Sequence, residues 1–146
     1  MIKHFDHVTI VVRDLDSAKR FFGLLGFEED IEVEISGEQF ANYMGVEGIN
    51  AEHVTLVLKG VRPRTEVQLL KYVAPEVHDD PGVKDLHRPG YNHVCFAVQN
   101  IEATLERLIA AGVKPRNELM EFNDRKLVFL WGPEGVTVEL AEWLGD

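Results

Sequence analysis

Residues 5–27, FDHVTIVVRDLDSAKRFFGLLGF, align without a gap onto residues 91–113, YNHVCFAVQNIEATLERLIAAGV. His7 falls on His93, Val8 on Val94, Val12 on Val98 and Gly26 on Gly112, all at one constant offset. A second echo follows in each half: EHVTLVLKG (52–60) matches DRKLVFLWG (124–132), and VQLLKY (67–72) matches VELAEW (138–143). The matches keep the same order in both halves, and a one-residue loop difference explains the small change of offset. A repeat of this size means one supersecondary unit used twice. The expected organisation is one domain of two modules, about 1–73 and 91–146, joined by a connector over 74–90.

Each module carries the same local signals. Residues 5–12 alternate, with Val8, Ile10 and Val12 on one face and Phe5, His7, Thr9 and Val11 on the other, as in a strand. Asp14 is a good N-cap for a helix over 15–25, where Leu15, Ala18, Phe21, Phe22 and Leu25 form an apolar stripe and Gly26 stops it. Asn100, the stripe Ile101, Leu105, Leu108 and Ile109, and Gly112 repeat that design. Three strands follow, near 28–35, 53–59 and 66–73 in the first half, and near 117–123, 126–131 and 136–143 in the second. Residues 37–45 are expected to add a short helix. The fold class is therefore α+β, a β-α-β-β-β module used twice.

Composition narrows the partners. The 146 residues are 45% apolar and 27% charged, a globular profile. With 25 acidic against 15 basic residues the net charge is −10, which repels a phosphate backbone, so nucleic acid is not an expected partner. A single cysteine, Cys95, excludes a disulfide framework and a CxxC metal site. No apolar run approaches the roughly 20 residues of a membrane span, and the first residues carry no apolar leader. A cytoplasmic protein acting on a small molecule, without a membrane partner, is expected.

The histidines are informative by phase. His7 and His93 hold the same strand position in the two modules, on the face away from the helix, with Thr9 and Cys95 as face-mates. The last strand of each module supplies a second equivalent pair, Gln68 between Val67 and Leu69 and Glu139 between Val138 and Leu140. A carboxylate in the middle of an apolar strand calls for a cation, because desolvating it alone is costly. A pseudo-twofold pairing of the modules would bring His7, Gln68, His93 and Glu139 together. Two imidazoles, one amide oxygen and one carboxylate suit a divalent Zn, Co, Ni, Mn or Fe ion, and leave positions open for water or substrate.

The duplicated pattern, the DHV and NHV openings, and the VQLLKY and GPEGVTVELAEW endings resemble the vicinal-oxygen-chelate superfamily. That group includes glyoxalase I, methylmalonyl-CoA epimerase, extradiol dioxygenases, and bleomycin- and fosfomycin-resistance proteins. The resemblance covers nearly the whole chain outside 74–90. It implies paired β-α-β-β-β modules forming an open barrel around a divalent ion, held by His7, Gln68, His93 and Glu139, and members that often dimerise. The His-Gln-His-Glu order is similar to the epimerase pattern, whereas glyoxalase I usually has Glu where Gln68 stands. The implied chemistry is a lyase or isomerase reaction through a chelated enolate. Two alternatives are an Fe(II) extradiol-type dioxygenase using His7, His93 and Glu139, and a non-catalytic binder walled by Phe40, Tyr43, Tyr72, Phe129, Trp131 and Trp143.

Three residues are candidates for the general base. Glu52 and His53 open the third strand of the first module and point to opposite faces. The epimerase resemblance favours Glu52, the alternation His53-Thr55-Val57 favours His53, and Glu47 lies on the preceding turn. Arg125, the repeat counterpart of His53, is a candidate for holding a substrate carboxylate or phosphate.

Overall fold

A computed structural model describes residues 1–145. It contains two four-stranded sheets and three α-helices among those residues. The chain divides into two compact units, Met1–Asp79 and the residues from Asp80 onward. None of the helices is long and apolar enough to cross a membrane.

The first unit runs β1 (His7–Val11), α1 (Leu15–Leu24), β2 (Phe27–Ser36), α2 (Glu38–Met44), β3 (Asn50–Leu58) and β4 (Glu66–Ala74). The sheet order is β1-β4-β3-β2, with β1 parallel to β4 and the remaining pairs antiparallel. Asp14 caps α1, its carboxylate accepting from the Ser17 amide at 3.0 Å. Leu15, Ala18, Phe21 and Phe22 bury the expected stripe. They meet the face of the sheet formed by Ile10, Val54, Leu56, Val67 and Leu69, all buried. Gly26 follows with φ +102°, a backbone conformation that any side chain would strain.

The second unit repeats this design with β5 (His93–Ala97), α3 (Ile101–Ala110), β6 (Met120–Phe122), β7 (Arg125–Trp131) and β8 (Thr137–Trp143), in sheet order β5-β8-β7-β6. Gly112 stands where Gly26 does, at φ +97°. The stripe of α3 is narrower than expected. Ile101 and Leu108 are fully buried, but Ile109, one step of about 100° further round the helix, is 48% exposed. Among the described residues helix α2 has no counterpart in the second unit. Its Ala41 packs with Val46 and Tyr72 on a cluster of Ile35, Ile49, Ala51 and Leu70.

Register fixes which residues share the sheet face turned away from the helix. In the first unit Gln68 lies opposite Thr9 on β1 and Thr55 on β3. Because side chains alternate along a strand, this face carries His7, Thr9 and Val11, then Glu66, Gln68 and Leu70, then His53, Thr55 and Val57. In the second unit Glu139 lies opposite Cys95 on β5 and Phe129 on β7. That face carries His93, Cys95, Thr137, Glu139, Trp143, Arg125, Phe129 and Trp131.

Candidate functional site

The two faces carry equivalent half-sites. In the first, the Asp6 carboxylate lies 2.5 Å from Nδ1 of His7. A carboxylate held low by that bond only accepts, so Nδ1 carries the proton and Nε2 presents a lone pair. In the second, Asn92 takes the place of Asp6. Its amide nitrogen donates to the Leu86 carbonyl at 2.7 Å, which turns its oxygen toward Nδ1 of His93, also at 2.7 Å. His93 is thereby assigned the same tautomer as His7, with the lone pair on Nε2. The acceptor before each histidine is the same device in two chemistries.

Nε2 of His93 faces a carboxylate. Oε1 of Glu139 lies 3.5 Å away, and the Phe129 ring meets the imidazole edge-on at a centroid distance of 5.1 Å. Cys95 shares this face. Burial, with the hydrogen bond and charge of Glu139, pushes its thiol up to about 12, so it stays neutral.

The other strand position of the first half-site is tied by a chain of hydrogen bonds. The Gln68 amide nitrogen donates to Oε1 of Glu66 at 2.9 Å, which points Oε1 of Gln68 at Nε2 of His53, 3.0 Å away. The amide oxygen only accepts, so His53 donates from Nε2 and keeps its lone pair on Nδ1. Glu66 is itself held by Arg64 at 2.5 Å, and Arg64 also binds Asp30 at 2.6 Å. Desolvation raises the Glu66 carboxyl, but the hydrogen bonds from Arg64 and Gln68 outweigh it and leave the group below its ordinary range.

Among the three base candidates, only His53 contacts a predicted ligand position. Glu52 alternates with His53 and lies on the helix side of β3, opposite Glu34 and Lys71. There it lines a groove with Glu32, Glu34 and Asn50. Glu47 sits on the turn after α2, in a groove with Gly37, Glu38, Asn42 and Gly48.

Glu66 is a candidate site residue that the sequence reading missed. It pairs with His7 in register, and its carboxylate, that of Asp6 and the His7 ring lie with donor atoms within 4.8 Å of one another. The signal was available, since Glu66 precedes Gln68 by two residues on the same face of one strand.

Known proteins agree with this architecture. Glyoxalase I of Saccharomyces cerevisiae is 36% identical over 69 residues, covering 47% of this chain and 21% of that protein. Lactoylglutathione lyase of Schizosaccharomyces pombe is 24% identical over 148 residues, covering 94% of this chain and 44% of that protein. The chain thus spans less than half the length of either curated relative. A glyoxalase family protein from Bacillus cereus superposes with a TM-score of 0.88 at 26% identity, covering 99% of this chain and 97% of its own. The family described as the glyoxalase/bleomycin resistance protein/dioxygenase superfamily matches residues 6–129. With that match spanning both half-sites as far as Phe129, on top of a duplicated β-α-β-β-β fold, the chain belongs to this superfamily.

Proposed function

We propose that the chain is a divalent-metal-dependent enzyme of the lyase or isomerase type acting on a small oxygenated substrate. In this reading His7, Gln68, His93 and Glu139 hold the ion and His53 is the general base. One observation carries it: an acceptor oxygen, of Asp6 and of Asn92, faces Nδ1 of His7 and of His93, which leaves Nε2 of each ring as the nitrogen free to bind an ion. Second partners of this kind are what hold metal-binding imidazoles in the right tautomer. Gln68 Oε1 retains a lone pair after accepting from His53, and the Glu139 carboxylate lies 3.5 Å from Nε2 of His93. The donor set of imidazole, amide and carboxylate without thiolate suits Zn, Co, Ni, Mn or Fe.

When bound, such an ion lowers the energy of negative charge developing on two neighbouring substrate oxygens, which acidifies an adjacent C–H. His53 takes that proton at Nδ1. The imidazolium so formed is stabilised through its Nε2–H by the Gln68 amide oxygen, with the Glu66 carboxylate one link further. Return of the proton to the neighbouring carbon completes an isomerisation and regenerates the base. Gln68 in place of a carboxylate makes the donor order more like an epimerase than a glyoxalase, so both substrate types belong in the assay.

The working unit in this reading is a homodimer. Val11, Ile31 and Val33 on the first ligand-bearing face, and Met120 and Phe122 on the second, are each 43% or more exposed, apolar side chains of the kind an interface covers.

The test is metal analysis of the purified protein with a substrate panel: the hemithioacetal of methylglyoxal and glutathione, methylmalonyl-CoA, and a catechol with Fe(II) and oxygen. Stoichiometric metal with turnover of either of the first two supports the reading. A yellow ring-cleavage product would move the chain to the dioxygenases, and failure to take up metal would make it a binder.

A further inference from the structure

Two arginines lie over the two tryptophans of the second half-site, and they are held differently. Arg116 stacks on Trp131 at 4.0 Å, and its Nη1 donates to Thr137 Oγ1 at 2.6 Å and to the Lys84 carbonyl at 3.0 Å. Arg125 stacks on Trp143, its register partner, at 4.6 Å. Its Nε is buried with no hydrogen-bond partner, and among the described residues it makes no ion pair. Along β8 the face reads Thr137, Glu139, Ala141, Trp143, so the two stacks bracket Glu139: one arginine is tied to the protein and the other is uncommitted.

An uncommitted guanidinium partly removed from water is costly. It is also unexpected in a chain with 25 acidic residues. The Trp143 ring fixes the plane of the Arg125 fork and leaves its edge as the recognition element. A planar, two-pronged donor matches a carboxylate, which it binds through two parallel hydrogen bonds. In the first unit the register places Ala51, opposite Tyr72, where Arg125 stands opposite Trp143, and Leu127 takes the place of His53, so the guanidinium belongs to the second module alone.

We propose that Arg125 is the anion-recognition residue of the site, binding a carboxylate of the substrate. This rests on the metal-dependent reading above and deepens it. The substrate class becomes a 2-oxo or 2-hydroxy compound with a second carboxylate at its far end, chelated at one end and held by Arg125 at the other.

Both tryptophans of the chain, Trp131 and Trp143, lie on this face and are partly exposed, so intrinsic fluorescence reports on it. The experiment titrates the metal-loaded protein with 2-oxoglutarate and with 2-oxovalerate, which have the same chelating head and chain length but differ in the distal carboxylate. Metal content is measured on each sample. Wild type is expected to prefer 2-oxoglutarate by about tenfold or more, the worth of one good charge-assisted contact. R125Q is expected to lose the preference while keeping its metal and its affinity for 2-oxovalerate, and R125K to keep part of it. Equal affinities in wild type, a preference that survives in R125Q, or tighter binding of inorganic phosphate than of any carboxylate would overturn the proposal. If the wild type holds no metal, the metal reading fails on its own. The subsite is then decided by butyrate against butyramide on the metal-free protein, where a preference for the anion lost in R125Q upholds it and its absence refutes it.

Discussion

Nε2 of His53 lies 3.0 Å from Oε1 of Gln68, across the β3–β4 hairpin, while the other end of that amide is held by Glu66. The contact fixes the imidazole tautomer and leaves Nδ1 for the proposed role as base, which can be tested apart from ion binding. His53→Ala is expected to lower kcat about 100-fold or more, in the range of a general base, and to change metal affinity far less. Turnover of either the hemithioacetal or methylmalonyl-CoA, measured beside metal titration, checks this. Equal losses of metal and rate would assign His53 to ion binding.

Glu66 is expected to act as a positioning residue. In Glu66→Gln the new amide no longer requires Gln68 to present its nitrogen, so Gln68 is free to turn and the His53 proton is no longer fixed. A fall in kcat of about tenfold, with KM and metal content little changed, is the predicted result. Loss of the metal instead would make Glu66 a ligand alongside His7, as the Asp6-His7-Glu66 grouping allows.

The start of α3 depends on a residue far along the chain. The Glu142 carboxylate accepts from the amides of Asn100 at 2.6 Å and Ile101 at 3.2 Å, while Asn100 itself caps the Ala103 amide. Glu142→Ala leaves those amides to water and is expected to cost about 1–2 kcal/mol in chemical denaturation. Leu140→Ala, by contrast, empties a fully buried position on the helix side of the same strand and is expected to cost about 2–5 kcal/mol.

The Glu102–Lys126 ion pair ties the first turn of α3 to β7. The hydrogen bond from Lys126 lowers the Glu102 carboxyl, and the same bond raises the Lys126 ammonium. A depressed carboxyl contributes stability above its unfolded value, about pH 4.3, and loses it as pH falls through the lower folded value. The raised lysine contributes below about pH 10.4 and loses that as pH rises through its folded value. Both groups are exposed, so the effect is small and screened by salt. In low salt Lys126→Met should lower thermal stability slightly between about pH 4.3 and about 10.4 and converge on wild type at both extremes, and in high salt the two profiles should coincide.

Much of the fold was legible because the chain repeats its own instructions. The capped helices and both stopping glycines stand where the two copies of the pattern put them. The second-module strand expected over 117–123 shrinks to Met120–Phe122, and the reason is local. Asn117 Oδ1 takes the Phe129 amide at 2.9 Å, and Pro115 bridges Leu130, so side chain and proline replace a regular ladder there. Strand β3 begins at Asn50, earlier than alternation suggests, because Ala51 packs with α2. The His53–Gln68 contact needed the hairpin register, which alternation alone does not supply. The acceptors Asp6 and Asn92 were visible as the residues before each repeated histidine, but an acceptor gains meaning only once its bond to Nδ1 is seen.

One divalent ion with donors from both modules is the central proposal. Isothermal titration of the metal-free wild type, His7→Ala and Glu139→Ala with Zn(II) or Ni(II), each confirmed folded by circular dichroism, tests it most directly. The account predicts tight uptake by wild type and a loss of about 100-fold or more in affinity for either variant. Unchanged affinity in both variants, with the fold intact, would contradict it.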